Sequence, residues 1–370
     1  MASSAHNQDH LPNPYGTTAA PPPTPSTQPN PLNLSSSDTA DTLARLLHRL
    51  PPTLSLPTRR SPIATRTPPL VSLSDPNPTL KNNLLSSSEL GFFQLTNHSI
   101  PSQLALSAET ESLSLLNLPH DQKQLYVPKN WPLGYDYDDD EDDNGTAESF
   151  CFDSSCSAES TELSLTSLRE FTREMEKVGL EVIQALSGAV GFENPAREDP
   201  TKVCSLMWIS EGSPGIKPVI SGRFYPYVVG LQYQIRSQKY SLLADSGWVS
   251  VSPQVDSVLV TLGDIGQVWS NGKLKKVRGK PVPSLQGDGS NARCVSMSLL
   301  VTLPVDSIVS PLLPRLIVGG GEEDEVKKDD YSSADTREDS LFNSFSFEDY
   351  AWRLYHERLP LKDPLDRYRF

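Results

Sequence analysis

Histidine is the side chain that most often ligates a catalytic metal or transfers a proton near neutral pH. Its distribution in this chain is uneven, since the stretch from Asp121 to Tyr355 contains none. The six that exist are His6, His10, His48, His98, His120 and His356. The four cysteines show no CxxC spacing, and their density is too low for a disulfide framework. A site that needs imidazole must therefore draw on the N-terminal third of the chain or on His356.

Carboxylates are concentrated between Asp136 and Asp143, where seven of eight residues are acidic and only Tyr137 interrupts the run. Such clusters can hold calcium, but this one lacks the spacing and the turn glycine of a calcium-binding loop. A block of like charges repels itself and favours solvent. We therefore predict that this run is a solvated, mobile loop.

The overall charge argues against nucleic acid and membrane partners. The formal net charge is -14 and the pI is about 4.9, so phosphate backbones and anionic bilayers would repel the protein. No apolar run approaches the roughly 18 residues that a membrane span requires. No nucleic acid and no membrane are expected as partners.

The N-terminus favours a cytoplasmic location. It lacks the charged and apolar regions of a secretory signal. The opening MASSA is typical of plastid transit peptides, but no Lys or Arg precedes Arg45 whereas three aspartates do. Plastid import is therefore the alternative, and the cytoplasm is the prediction.

The composition divides the chain into five regions. Of the 33 prolines, 16 lie in the first 80 residues, and residues 1–37 have the polar, Pro-rich composition of a disordered tail. Leu43, Leu46, Leu47 and Leu50 predict a helix that begins at Asp38. The boundaries that we infer are a tail over 1–37, an N-terminal helical region over 38–200, a strand-rich domain over 201–312, an acidic linker over 313–340 and a C-terminal helix over 341–370.

Helices and strands alternate in the order that the patterns predict. Residues 90–95 favour a buried strand, and a helix follows to about Leu116. A longer helix begins at Ser167, where Ser167 and Glu170 form a predicted capping box. Its predicted core face consists of Leu168, Phe171, Met175, Val178, Val182 and Leu186. Short strands between Val203 and Leu303 indicate a sandwich or barrel, and Ser346 and Asp349 cap a last helix.

Four segments, in order along the chain, carry a family resemblance. Residues 91–101 read GFFQLTNHSIP, residues 118–123 read LPHDQK, residues 263–264 read GD and residues 270–277 read SNGKLKKV. These segments resemble the GFFQxxNHGIP, LPxxxK and GDxxxxxSNGxxKxV motifs of the plant iron- and 2-oxoglutarate-dependent dioxygenases, a family that includes gibberellin oxidases and aminocyclopropane carboxylate oxidase. The resemblance covers roughly residues 68 to 360, and Ser99 replaces a glycine of the motif.

The resemblance implies an α+β fold with a double-stranded β-helix, or jelly roll, as its core, flanked by N-terminal helices and a C-terminal helix. It also implies a family chemistry in which iron activates dioxygen and 2-oxoglutarate supplies two electrons for the oxidation of a small organic substrate. Such iron needs two imidazoles and one carboxylate on one face. By this resemblance, the positions of the three ligands are taken by Gln234, Arg236 and Gly279.

The same resemblance identifies a candidate binding site for 2-oxoglutarate or another anion. Arg293 is similar to the arginine that pairs with the distal carboxylate of 2-oxoglutarate, and Ser296 lies one position beyond the expected serine. If Arg236 also points inward, two guanidinium groups would attract a small carboxylate without metal. The alternatives are that Arg236 points into solvent and that Arg293 pairs with a surface acid.

Three hypotheses follow for the function. The first is a pseudoenzyme, a jelly-roll binding or regulatory module with no catalytic residues, no cofactor, and a small carboxylate or a protein as its partner. The second is an active oxidoreductase on a small plant metabolite, with an atypical iron site from His98, His120 or acids of the 136–143 run. The third is a scaffold whose function lies in its Pro-rich tail and acidic segments.

Overall fold

The computed structural model describes residues 65–138, 147–158, 163–212, 225–244, 247–284, 294–312, 340–356 and 363–370. The described residues belong to one compact unit. The predicted tail, the predicted helix from Asp38 and nearly all of the acidic linker lie outside the described residues. The inferred region boundaries stay predictions.

A sheet of eight strands forms the centre of the fold, in the order β2-β3-β10-β7-β12-β6-β5-β4. Its strands are β2 Leu70–Ser72, β3 Phe92–Thr96, β4 Gly134–Asp138, β5 Ala147–Asp153, β6 Cys204–Gly212, β7 Val229–Tyr233, β10 Val258–Leu262 and β12 Cys294–Thr302. All of its neighbours are antiparallel except β2 and β3.

A second sheet of four strands, in the order β1-β9-β8-β11, accompanies the first. It consists of β1 Thr65–Arg66, β8 Lys239–Ala244, β9 Gly247–Val251 and β11 Val277–Ser284. The chain passes repeatedly between the two sheets, since β7 and β10 belong to the large one whereas β8 and β9 belong to the small one. An apolar cluster joins the two sheets and consists of Phe92, Tyr240, Leu242, Val251, Leu259 and Val277. This arrangement agrees with the predicted α+β fold and its jelly-roll core.

The described residues also form seven α-helices, of which the second and fourth pack on the opposite face of the large sheet. The helices are α1 Asn77–Ser88, α2 Ser102–Leu116, α3 His120–Tyr126, α4 Thr166–Val190, α5 Pro195–Glu198, α6 Asp264–Trp269 and α7 Phe347–His356. All six residues of the core face that the sequence predicts for α4 are buried, which confirms that pattern. Helix α4 approaches the sheet so closely at Gly179 that a β-carbon there would lie 2.6 Å from Cγ2 of Val301. Gly179 therefore permits the contact between helix and sheet.

The start of α4 differs from the prediction. The helix begins at Thr166, and its N-cap residue makes no capping hydrogen bond through its side chain. Instead, the carboxylate of Glu111 on α2 accepts hydrogen bonds from the backbone N–H groups of Ser167 and Leu168, at 3.0 and 2.8 Å. The predicted capping box of Ser167 and Glu170 is therefore wrong, because a carboxylate from a neighbouring helix already satisfies these donors.

The acidic run also differs from the prediction at its beginning. Asp136 lies in β4, which pairs with β5 as a hairpin. Its carboxylate is buried, accepts a hydrogen bond from Lys129 at 2.6 Å and is also bonded to the hydroxyl of Tyr355. The prediction of a solvated loop is wrong for this residue, because pairing with a cation and a hydroxyl offsets the cost of burial. Residues 139–146 lie outside the described part.

The C-terminal residues return to the jelly roll. Helix α7 is capped by Ser346, whose hydroxyl accepts from the N–H of Asp349 at 3.3 Å, as the sequence predicts. Before it, β13 Ile308–Val309 pairs with β14 Phe345–Ser346. Among the described helices, none is both long and apolar enough to cross a membrane.

Candidate functional site

The face of the large sheet that is directed at the small sheet is unusually polar. In an antiparallel pair, residues opposite one another and alternate residues along a strand share a face. Gln232 lies opposite both Leu259 and Ser298, and Leu259 packs in the apolar cluster between the sheets. We call the polar residues of this side the inter-sheet face, which consists of Gln94, Gln232, Gln234, Thr261, Ser296 and Ser298.

Gln234 lies directly after β7 and continues its ladder. Its N–H donates to the carbonyl of Ser257 at 2.9 Å, and its carbonyl accepts from the N–H of Asp256 at 2.9 Å. The side chain is only 1% exposed. Its Nε2 donates to the carbonyl of Gln232 at 3.0 Å, which leaves Oε1 buried with no hydrogen-bond partner among the described residues.

Gln232 connects this point to the neighbouring strand. Its Nε2 donates to the hydroxyl of Ser296 on β12 at 2.9 Å. The side chain is 4% exposed, and Oε1 likewise has no partner within the described part of the chain. The structure therefore brings two of the predicted site positions, Gln234 and Ser296, together through Gln232.

Arg236 is directed at the helix layer. Its guanidinium forms a bidentate pair with the carboxylate of Glu109 on α2, with 2.8 Å between Nη2 and Oε2. The arginine side chain is 55% exposed whereas that of Glu109 is 7% exposed. Helix α2 packs on the face of β12 opposite to the inter-sheet face, since Ser112 lies 3.3 Å from Met297. Glu109 of this helix therefore neutralises the charge of Arg236 on the side away from the inter-sheet face.

Of the other two predicted positions, only Gly279 is among the described residues. Gly279 belongs to β11 of the small sheet, between Arg278, which pairs with Leu243, and Val282, which pairs with Ser241. Arg293 lies outside the described residues. The expected cluster of Gln234, Arg236 and Gly279 stays a prediction.

The described histidines have hydrogen bonds of a structural kind. Nδ1 of His98 accepts from the N–H of Ile100 at 3.3 Å, and its Nε2 lies 2.9 Å from the carbonyl of Asp256. These two contacts order the turn before Pro101. His120 contacts the hydroxyl of Tyr135 at 3.1 Å, and His356 contacts the carbonyl of Trp352 at 2.9 Å. Within the described ranges, no three His, Cys, Asp or Glu side chains are placed to hold a metal ion together.

Three tyrosines near β7 are buried, and of these only Tyr227 lines the inter-sheet face, because Tyr233 packs on Phe171 of α4. Burial raises the pKa of Tyr225, Tyr227 and Tyr233 above that of an exposed phenol. The hydroxyl of Tyr233 donates to Asp256 at 3.0 Å, which raises its pKa further, whereas a hydrogen bond from Thr261 partly lowers that of Tyr227. These phenols stay protonated at neutral pH and act as neutral hydrogen-bonding groups.

A small cavity lies at the inter-sheet face. Its volume is about 10 Å³, and its walls include Tyr227, Gln232, Thr261 and Ser298. That volume is close to the minimum that one water molecule needs. Leu231, Leu259 and Leu300 also line this space, which is therefore narrow and largely apolar.

Sequence reasoning missed Glu109 and Gln232. Glu109 is one of two acids in α2, and it shares a helix face with Ala105, Ser112 and Leu116. An acid on such a face is a signal for a cationic partner. Gln232 stands two residues before Gln234 in an apolar strand, so alternation alone places both on one face. Neither signal identifies the partner, because the partners are 127 and 64 residues away.

Comparison with known proteins gives a consistent family. A family profile described as the N-terminal region of the non-haem dioxygenase in morphine synthesis matches residues 69–167. Gibberellin 2-beta-dioxygenase 2 of Arabidopsis thaliana is 22% identical over 79% of this chain and 85% of its own length. 1-Aminocyclopropane-1-carboxylate oxidase 4 of the same plant is 32% identical over 33% of this chain and 32% of its own length.

Solved structures with the same fold include a dioxygenase from rice and the protein JOX2. A dioxygenase for auxin oxidation from rice has a TM-score of 0.58 at 18% identity and covers 82% of this chain and 100% of its own. JOX2, solved in complex with 2-oxoglutarate, iron and JA, has a TM-score of 0.61 at 16% identity, over 85% of this chain and 94% of its own. At these identities the likeness establishes the fold.

Proposed function

Because this chain is a relative of the iron- and 2-oxoglutarate-dependent dioxygenases in both sequence and fold, we propose that it is a non-catalytic member of that family, a module that binds a small molecule or regulates a partner. The observation that carries the proposal is the lack of any histidine between Asp121 and Tyr355. Every strand from β6 to β12 falls inside that stretch. The strands of the jelly roll therefore supply no imidazole, including where their residues are not described.

The residues at the inferred ligand positions do not fit iron. Gln234 uses its amide N–H on a backbone carbonyl, so that it offers only one neutral oxygen. Arg236 carries a permanent positive charge that Glu109 compensates, and a cation beside it would be repelled. Gly279 has no side chain. An iron centre needs two neutral nitrogens and a carboxylate, which these three residues do not provide.

The histidines outside the strands do not replace the lost set. His98 and His120 lie on different segments, and each is held by the hydrogen bonds described above. Lys123 pairs with Glu148, whose other oxygen accepts from Tyr135 at 3.0 Å. Glu148, which shares the hydroxyl of Tyr135 with His120, is therefore already engaged, and this supports the pseudoenzyme over the atypical enzyme.

The location that we propose is the cytoplasm. Cys151, Cys156 and Cys204 are free thiols, which agrees with a reducing compartment. Burial raises the pKa of Cys156 and of Cys204 to about 11, so that both thiols are protonated and slow to oxidise.

Iron analysis with a turnover assay tests the proposal. The purified chain is reconstituted anaerobically with ferrous iron and ascorbate, desalted and analysed for bound metal, and succinate is then measured with 2-oxoglutarate present. We expect substoichiometric iron and no succinate above a heat-killed sample. Gibberellin 2-beta-dioxygenase 2 of Arabidopsis thaliana, treated in parallel, is the matched control. Stoichiometric iron, or succinate from uncoupled turnover, would overturn the proposal.

A further inference from the structure

A cavity of about 580 Å³ lies in the helix layer, away from the space between the sheets. Its walls belong to α1, α4 and α5 and to the residues that follow β2 and α5. The apolar part of its lining consists of Leu73, Leu80, Leu180, Ala185, Ala196 and Pro200. Small-molecule sites in proteins are concave and mostly apolar, with volumes of roughly 300–1,000 Å³. The cavity therefore has the size and the character that a small organic ligand requires.

Half-buried leucines form the apolar surface of this cavity. Leu73, Leu80 and Leu180 each pack against the core with part of the side chain and leave the rest accessible. Covering accessible apolar surface is favourable, because it removes that surface from water. These three side chains therefore favour contact with the apolar body of a ligand.

Hydrogen bonds hold the wall that α5 contributes. Nδ2 of Asn194 donates to Oε1 of Gln184 on α4 at 2.9 Å, and its Oδ1 accepts from the N–H of Ala196 at 3.1 Å. The N–H of Glu193 donates to the carbonyl of Leu312 at 2.9 Å. The segment that carries α5 is thus tied to α4 on one side and to the residues after β13 on the other. The cavity is therefore formed before any ligand binds.

Two opposite charges line the same cavity. Glu181 of α4 and Arg197 of α5 are both exposed. Among the described residues, neither forms an ion pair with the other or with any third side chain. A guanidinium group binds a carboxylate through two parallel N–H groups, whereas a carboxylate repels another. Arg197 therefore provides a group that can hold one carboxylate, and Glu181 disfavours a second.

We propose that this cavity binds a small molecule with an apolar body and a single carboxylate. The body covers the half-buried leucines, and the carboxylate accepts hydrogen bonds from the guanidinium of Arg197. Because Glu181 lines the same space, a dicarboxylate such as 2-oxoglutarate is disfavoured. The site goes beyond the proposed function, since it lies in the helix layer and does not depend on whether iron binds between the sheets.

An apolar segment of a partner protein is the competing occupant. A docking patch for such a segment extends its apolar surface over a broad area. Here the remaining lining residues are polar, and three of them, Glu181, Gln184 and Arg197, are exposed. The apolar surface of the cavity thus ends at polar and charged groups, which favours a small molecule with one charged end.

Three eight-carbon probes and the full-length protein test this inference. Octanoate has an apolar chain and one carboxylate, octanedioate adds a second carboxylate, and 1-octanol replaces the carboxylate with a neutral hydroxyl. Equilibrium dialysis with radiolabelled probes measures each Kd directly. We expect one saturable site for octanoate and at least about fivefold lower affinities for the other two probes. Equal affinities for all three would overturn the inference. No saturable binding of octanoate would also overturn it and would assign the cavity to a partner segment.

Two arginine variants locate the carboxylate contact. Arg197→Gln should lower the affinity for octanoate about fivefold and leave that for 1-octanol unchanged, because only the carboxylate contact is lost. Arg173→Gln is the matched control, since Arg173 is another exposed arginine that lies on α4 but not in the lining of the cavity. Equal losses in both variants would contradict the assignment, because general attraction by positive charge would then explain the binding.

Two further variants change the affinity in opposite directions. Glu181→Gln should raise the affinity for octanedioate toward that for octanoate, because the repelling charge is removed. Ala185→Phe should abolish the binding of all three probes, because its ring fills the cavity. Unchanged octanoate binding in a folded A185F protein would place the site elsewhere and overturn the inference. If A185F does not fold, the variants at the exposed positions Arg197 and Glu181 decide the outcome. Iron content is measured separately, so that failure of this inference leaves the proposed function intact.

Discussion

At the scale of single residues, the molecule places charges where partners neutralise them. Arg236 is matched by Glu109, and Lys276 is fully buried between Asp264 and Asp363. By the resemblance alone, Arg236 would place a positive charge at the position of a metal ligand. In the structure Arg236 pairs with Glu109 instead, and this ion pair joins the β7–β8 connection to α2.

Replacing Lys276 by methionine is predicted to destabilise the protein strongly. The ammonium group is 0% exposed and lies 2.5 Å from Asp363, and it is also bonded to Asp264. The variant leaves two carboxylates without their central cation, which costs about 3–5 kcal/mol for a broken buried pair. Unfolding in urea, followed by circular dichroism, measures the change.

Lys177→Met provides the control for that measurement. Lys177 is 64% exposed and pairs with Glu174 one helical turn away, so its loss should cost less than about 0.5 kcal/mol. If K276M and K177M unfold at the same urea concentration, the buried ion cluster does not stabilise the fold in the way proposed.

At the scale of elements, the long helix α4 begins where α2 supplies a carboxylate. The N-terminal N–H groups of a helix need acceptors, and they are usually satisfied by a local Ser, Thr, Asp or Asn. Here Glu111 is 56 residues from Ser167, so the cap also joins two helices. An element boundary is thus determined by tertiary contact.

Glu111→Ala is predicted to destabilise the fold by about 1–2 kcal/mol, since it removes two hydrogen bonds to a charged acceptor at a helix N-terminus. Glu170→Ala is the comparison, because the sequence alone names Glu170 as the capping residue whereas the structure leaves it exposed. Its expected effect lies within about 0.5 kcal/mol. If E170A lowered the free energy of unfolding more than E111A, in thermal or urea unfolding, the result would support the capping box instead.

At the scale of the whole molecule, the C-terminal residues complete the fold. Asp363 reaches Lys276 on the segment that enters β11, while Asn343 donates to the carbonyl of Tyr368 at 2.8 Å and Phe345 stacks on Tyr368 with 4.2 Å between ring centroids. The end of the chain therefore anchors the jelly roll through one ion cluster and one aromatic cluster.

This anchoring predicts a dependence of stability on pH. Burial alone would raise the pKa of Asp363, but Lys276 and the N–H of Leu365 lower it by more, so that it ends below the ordinary value of 3.8. A carboxyl with a lowered folded-state pKa contributes stability above its unfolded pKa and loses it as the pH falls through the folded value. Between about pH 5 and pH 2, the free energy of unfolding should therefore fall more steeply for the wild type than for Asp363→Asn. Parallel curves would contradict the role of Asp363.

The sequence alone determined the class of fold and the lack of imidazole. The motifs at 91–101 and 263–277, the apolar face of α4 and the capped helix α7 are local patterns, and local patterns are readable because helix and strand periods are fixed by backbone geometry. Likewise, the absence of histidine from 121 to 355 holds in any conformation.

Only the tertiary structure decided which side chains meet. The bond from Gln232 to Ser296 and the pair of Arg236 with Glu109 join residues 64 and 127 positions apart, and no periodicity encodes a partner at such a distance. The acidic run illustrates the same limit. The sequence predicts that Asp136 is solvated, but in the structure it is bonded to Tyr355, which lies 219 residues later. Burial of a polar group is favourable only when its partner is in place, and the three-dimensional fold alone brings that partner.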